Sequence, residues 1–172
     1  MAEIITIGID PGMSGAIAAL DPAGQHIGTW DMPATTDGKL NWVDAIALNT
    51  ILWQITASSR PAQVIIERVG PMPKQGIASA FKFGVGFGSI LATIEASRLP
   101  LHFVTPQKWK RALGLSSNKA ASLHKARLLF PHAQLRYAKH EGRAEALLLA
   151  HYFFTTTRGA HERAITQSTT TG

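Results

Sequence analysis

The stretch Ile4-Ile5-Thr6-Ile7-Gly8-Ile9-Asp10-Pro11-Gly12-Met13-Ser14-Gly15 decides how this chain is read. A β-branched run that ends in a carboxylate at a Pro-Gly turn is the pattern of a buried strand emerging at the end of a sheet. Working outward, Gly15 to Asp21 and Gln25 to Met32 form two further short strands joined by the turn Asp21-Pro22-Ala23-Gly24. Three strands linked this closely are expected to pair antiparallel. Residues 40–59 carry Trp42, Ile46, Leu52 and Trp53 at helical spacing and stop at Arg60-Pro61. Gln63-Val64-Ile65-Ile66-Glu67 is a second buried-looking run that ends in a carboxylate.

Beyond it come a Gly- and Pro-rich loop (Gly70 to Gly76) and a helix over residues 77–97. That helix holds Gly84, Gly86 and Gly88, which favour close packing at a propensity cost of roughly 1 kcal/mol each. They fall inside a helical pattern, not after a strand, so they do not form a nucleotide loop. Leu101 to Thr105 is a short strand, Ala120 to Phe130 a basic helix stopped by Pro131, and Arg143 to Phe154 an apolar, core-facing helix. This order predicts one α/β domain over residues 1–155, with a mixed five-stranded sheet flanked by helices. Residues 156–172, rich in Thr, are expected to be a flexible tail.

The 172 residues include no Cys, which excludes a disulfide framework, Cys-ligated zinc and a thiol nucleophile. Hydrophobic residues make up 45%, enough for a sizeable core. No signal-peptide pattern opens the chain and no stretch gives about 18 uninterrupted apolar residues, so the expectation is a soluble, cytoplasmic protein without a membrane partner. Charge is unevenly spread. Residues 1–59 hold one basic and six acidic side chains, a net of −5, whereas residues 60–172 hold 16 basic and five acidic, a net of +11. The excess is densest between Val104 and Arg143, where nine basic residues face one acid, Glu141. Such a block attracts polyanions, nucleic acid above all, although an ordinary solvated helix face would read the same way.

With only 11 acids, their placement is informative. Asp10 and Glu67 each end a β-branched run, and Glu141 and Glu145 are four apart at the start of the last helix, hence on one face. Carboxylates converging on one cleft repel unless cations lie between them, and an all-oxygen donor set suits Mg²⁺ or Mn²⁺. Two such ions about 3.5–4 Å apart serve phosphodiester hydrolysis. Taken singly, each acid is equally a turn residue or a helix N-terminal charge.

The segments Ile7-Gly8-Ile9-Asp10-Pro11-Gly12 with Gly15, Ile65-Ile66-Glu67, and Glu141-Gly142-Arg143-Ala144-Glu145-Ala146-Leu147 together resemble the RuvC-type Holliday junction resolvases, in order and spacing, over about the first 155 residues. Pro73-Lys74-Gln75-Gly76 and Pro106-Gln107-Lys108-Trp109-Lys110 look more like the phage-type branch. The resemblance implies an RNase H-like fold, a homodimer, and symmetric nicking of four-way DNA junctions with Mg²⁺ or Mn²⁺, two ions per site and no nucleotide cofactor. Products would carry 5′-phosphate and 3′-hydroxyl ends. It places Asp10, Glu67, Glu141 and Glu145 as metal-holding catalytic residues, Glu141 lying four before Glu145 where the family acid lies three before. Lys119 matches a basic residue near the scissile phosphate. Lys74, Lys82, Lys108, Lys110, Arg111 and Lys119 are the expected DNA-backbone contacts.

The chain also departs from the cellular pattern, which carries an aromatic wedge three residues after the strand-end Glu. Here that position is Gly70, leaving Met72 or Phe81 for the junction centre. Trp109 is either a base-stacking residue or a core anchor, and His140 and His151 flank the acidic helix as assistants or bystanders. Three other readings compete. An Ile-Gly-Ile-Asp opening also occurs in actin-like ATPases and sugar kinases, which need two such domains. A fork or branched-DNA nuclease of the same fold and a non-cutting DNA-binding relative complete the set.

Overall fold

The computed structural model describes residues 3–38, 41–57, 60–70, 76–116 and 118–169. Its main sheet has five strands in the order β3-β2-β1-β6-β7, formed by β1 (Ile5–Asp10), β2 (Ala16–Leu20), β3 (His26–Asp31), β6 (Ala62–Glu67) and β7 (Leu101–Val104). As expected, β1, β2 and β3 form an antiparallel meander, while β6 and β7 add parallel to β1, making the sheet mixed. The turn between β2 and β3 is closed by Asp21, whose Oδ1 accepts from the amides of Ala23 and Gln25 at 2.9 and 2.8 Å. Gly24 completes it with φ +82°, the left-handed region open to glycine.

Strand β1 is buried on both faces, which is why it reads as a continuous apolar run and not an alternating one. Ile5, Ile7 and Ile9 point into a core formed with Leu48, Leu52 and Ile55 of α1 (Ala45–Thr56) and Ile90 and Ile94 of α2 (Ile77–Ala96). On the other face, Ala16, Ala18, Leu20 and Ile65 pack with Trp109 of α3 (Pro106–Ala112), Leu123 and Ala126 of α4 (Lys119–Leu129), and Leu147 to Ala150 of α5 (Glu141–Thr169). The result is three layers, with α5 lying against the middle of the sheet.

Three local outcomes differ from the sequence expectation. Residues 40–59 are not helical throughout: β4 (Ala34–Thr36) and β5 (Asn41–Val43) form a small hairpin that pairs Trp42 with Thr35. The helix starts only after Asp44, whose carboxylate caps it by accepting from Ala47 N at 2.9 Å. Helix α3 was not anticipated from its seven residues, although Pro106 stands in its first turn, where proline is favoured. Helix α5 begins at Glu141 and runs 29 residues to Thr169, well past Phe154. The Thr run does not stop it, because the hydroxyls of Thr155, Thr156 and Thr157 donate to the carbonyls of His151, Tyr152 and Phe153, one turn back, at 2.7–2.9 Å.

Of the described helices, α2 alone has the length and mean hydropathy (1.5) of a membrane span, a test that core helices of soluble proteins also pass. Its C-terminal half is packed through Ile90, Thr93 and Ile94, whereas Ile77 and Phe81 are 90% and 65% exposed. Among the described residues, only Gly86 of its glycines meets a neighbour, Val43, and added side chains at Gly84 and Gly88 would meet nothing within 4 Å. Among the described residues the expected close packing is thus confined to Gly86.

Candidate active site

Side-chain parity brings the two strand-end carboxylates to one place. Strands β1 and β6 are parallel neighbours with Ile9 opposite Ile66, so Asp10 and Glu67 occupy the next position on adjacent strands. Ile9 and Ile66 face the α1–α2 core, and alternation turns Asp10 and Glu67 towards α5. The helix comes unusually close: an ideal Cβ on Gly8 would lie 2.1 Å from Ala146 O and 2.6 Å from Ala150 N, so only glycine permits this contact. At the N-terminal end of α5, a Cβ on Gly142 would lie 2.3 Å from Ser14 O and 2.9 Å from Gly15 Cα. The first turn of α5, carrying Glu141 and Glu145, therefore abuts the β1–β2 turn that follows Asp10. Three distant segments of sequence supply carboxylates to one end of the sheet.

Two residues of α3 enter the same place. Trp109 is 0% exposed and donates from Nε1 to Glu67 Oε2 at 2.7 Å. Of the two readings of Trp109, core anchor is the one the structure supports, with an added role in fixing Glu67. Lys110 Nζ lies 2.7 Å from Glu145 Oε1, which also accepts from Ser122 Oγ at 3.3 Å. The Lys110 and Glu145 side chains are only 15% and 8% exposed, so this is a buried ion pair in which each charge compensates the other.

On the outer side of α5, Arg143 makes a two-pronged bond to Asp31 at the end of β3, at 2.5 and 2.6 Å. Its guanidinium holds the Asp31 carboxyl below its usual range, and Asp31 in turn raises Arg143. This pair ties the first turn of α5 to the sheet. Beside it His140 is buried, and its Nδ1 has no hydrogen-bond partner among the described residues; burial, then Arg143, pushes its ionisation down. His151 is half-buried and stands edge-on to Phe130, with ring centroids 5.6 Å apart, and burial lowers its ionisation.

Among the described residues no three Asp, Glu or His side chains are set to hold a metal ion. The four predicted acids share one end of the sheet, yet they are not closed into a coordination shell. Hydrogen bonding to Trp109 and Lys110 explains the orientations of Glu67 and Glu145. The donor set itself, all carboxylate oxygen from Asp10, Glu67, Glu141 and Glu145, fits a hard divalent cation once Lys110 turns away from Glu145.

The expected DNA contacts divide. Lys82, Lys108 and Arg111 are solvent-exposed. Lys108 and Arg111 line, with Thr105 and Gln107, an open cleft of about 640 Å³ on the outer face of α3. Lys110 instead turns inward to Glu145, because successive residues of a helix point in different directions. Lys74 and Met72 lie outside the described residues, and Lys119 opens α4 with its side chain likewise outside them. The roles of Trp109 and Ser122 beside the carboxylates were not read from sequence. The available signal was that α3 follows β7, the strand next to Glu67.

No protein-family model and no curated protein matches the chain. Solved structures do. Thermus thermophilus RuvC in complex with a Holliday junction substrate superposes with a TM-score of 0.61 at 19% identity, covering 91% of this chain and 96% of that one. A second T. thermophilus RuvC structure gives 0.59 at 18% identity, covering 90% and 96%. The fold is accordingly of the RNase H-like class, a mixed five-stranded sheet between helices. Within that class it has the RuvC arrangement over nearly its whole length.

Proposed function

We propose that this chain is a metal-dependent, structure-selective DNA endonuclease that resolves four-way junctions by paired nicks as a homodimer. The observation that carries the reading is the convergence of Asp10, Glu67 and the first turn of α5 at one end of a sheet with the RuvC arrangement. Asp10, Glu67, Glu141 and Glu145 would hold two Mg²⁺ or Mn²⁺ ions. Such ions supply an activated water and neutralise charge on the leaving 3′-oxygen. The protein's own share is positional. Trp109 fixes the Glu67 carboxylate, the Arg143–Asp31 pair fixes the entry of α5, and Lys110 holds the Glu145 carboxylate in place in a buried setting. When Lys110 leaves Glu145, its ammonium is placed to meet a phosphate oxygen. Lys108, Arg111 and Lys82 would hold the DNA backbone without reading sequence. The exposed pair Ile77 and Phe81, four apart on one face of α2, suits contact with a second copy of the chain.

The test is cleavage of a labelled four-way junction beside plain duplex and a Y-fork, with Mg²⁺, Mn²⁺ or EDTA, for wild type and Asp10→Asn. Paired nicks in opposite arms, abolished by EDTA and by Asp10→Asn, are expected. Preference for the fork would keep the nuclease and change its substrate. Binding without cutting in either metal would remove the enzyme.

A further inference from the structure

Resting on that reading, we infer that Tyr137 is a stacking platform for an unpaired nucleobase beside the cut phosphate. Tyr137 is 61% exposed, yet it is held still from both sides. Upstream, the Arg127 guanidinium donates to Leu135 O at 2.7 Å and Arg136 O at 3.0 Å, and Leu135 itself is buried. Downstream, His140 N donates to Tyr137 O at 3.0 Å, closing the 3₁₀ turn Ala138–His140. The Tyr137 ring meets the buried His140 edge-on, centroids 5.3 Å apart at 79°. An exposed aromatic braced in this way has already lost the freedom that a ligand would otherwise have to take from it.

Position and charge then select the ligand. Tyr137 precedes Glu141 by four residues and caps the 3₁₀ turn Ala138–His140 that leads directly into the acidic first turn of α5. Lys139 Nζ lies 5.8 Å from the ring centroid, Arg136 and Arg127 are adjacent, and of the nearby acids Asp31 is neutralised by Arg143. An aromatic face among cations is a surface for a base attached to phosphate, and every base offers a face to it.

The other exposed aromatics fit less well. Trp53 is on α1, across the sheet from the carboxylates, and the Phe103 ring is covered by the Arg68 guanidinium at 5.0 Å. Phe81 shares its helix face with Ile77 in an apolar patch.

The experiment measures binding of four-way junctions and single strands in EDTA, with 2-aminopurine placed at each position near the cut, for wild type and Tyr137→Ala, Tyr137→Phe and Tyr137→Trp. Tyr137→Ala is expected to bind on the order of tenfold or more weakly and to lose the 2-aminopurine quenching at one or two positions. Its melting temperature and the salt slope should be unchanged. Tyr137→Phe and Tyr137→Trp should retain both binding and quenching, and Lys139→Ala should lower the salt slope by about one. If wild type binds and cuts while Tyr137→Ala matches it, the stacking role is wrong and the nuclease reading stands. The stacking role is equally wrong if Tyr137→Ala alters only the oligomeric state. A wild-type chain that binds none of these DNAs overturns both.

Discussion

Substituting Gly8 with Ala should separate α5 from the sheet. The added Cβ would lie 2.1 Å from Ala146 O and 2.6 Å from Ala150 N, where ordinary contact begins near 3.4 Å. Both obstacles are backbone atoms of a helix whose residues 146–150 are all 0% exposed, so no side chain can rotate out of the way. Relief requires the helix to move by about 1.3 Å against a close-packed core, which puts the cost at or above the upper end of the usual 1–3 kcal/mol for overpacking. For a chain of this size that is a fall in Tm of about 6–12 °C, with a matching loss in urea midpoint. Glu145 precedes Ala146 and travels with it, so cleavage should fall on the order of a hundredfold even where the variant is folded. Gly84→Ala is the control: its Cβ meets nothing within 4 Å, and helix propensity alone should stabilise it by about 0.5–1 kcal/mol. A Gly8→Ala protein melting within about 2 °C of wild type would refute the claim that α5 and β1 touch backbone to backbone.

Trp109→Phe keeps most of the ring and removes the donor to Glu67, so it should destabilise by about 2–4 kcal/mol in urea unfolding; less than about 1 kcal/mol would mean the indole bond is not made. His26, His140 and His151 all have their ionisation lowered by burial. Between their folded values and the ordinary 6.5 the unfolded chain binds more protons, so stability should be flat above about pH 6.5 and decline as pH falls towards 5. A urea midpoint that rises on acidification would contradict this. Asp31 works in a lower window. Its carboxyl is held down by Arg143, so the pair persists until pH drops below about 3.8, and Asp31→Asn should cost under about 1 kcal/mol because Asp31 is largely exposed.

The fold was legible because β1 and β6 announce themselves as β-branched runs, and because Pro11-Gly12 and Asp21-Pro22 punctuate the meander. The apolar run Ala144 to Ala150 likewise marked α5 as a core helix, though Thr hydroxyls bonding one turn back carried it further than composition suggested. The β4–β5 hairpin was hidden because Trp42 fits a helical period as well as a strand pairing with Thr35, and only the Asp44 cap separates the two. At the site, the positions of Asp10, Glu67, Glu141 and Glu145 followed from order and resemblance. What sequence could not carry was direction. Lys108, Lys110 and Arg111 look alike as a basic cluster, and only the packing of Trp109 into the core shows that Lys110 turns towards Glu145 while its neighbours face solvent. Long-range pairs of this kind have no period or spacing to read.

The most direct test of the central claim is a crystal of the protein grown with Mn²⁺ and measured at the manganese edge. The account predicts anomalous peaks between Asp10, Glu67, Glu141 and Glu145, with Lys110 displaced from Glu145, and their loss in Asp10→Asn. Absence of manganese there, at concentrations that support cleavage, with the Lys110–Glu145 pair intact, would contradict it.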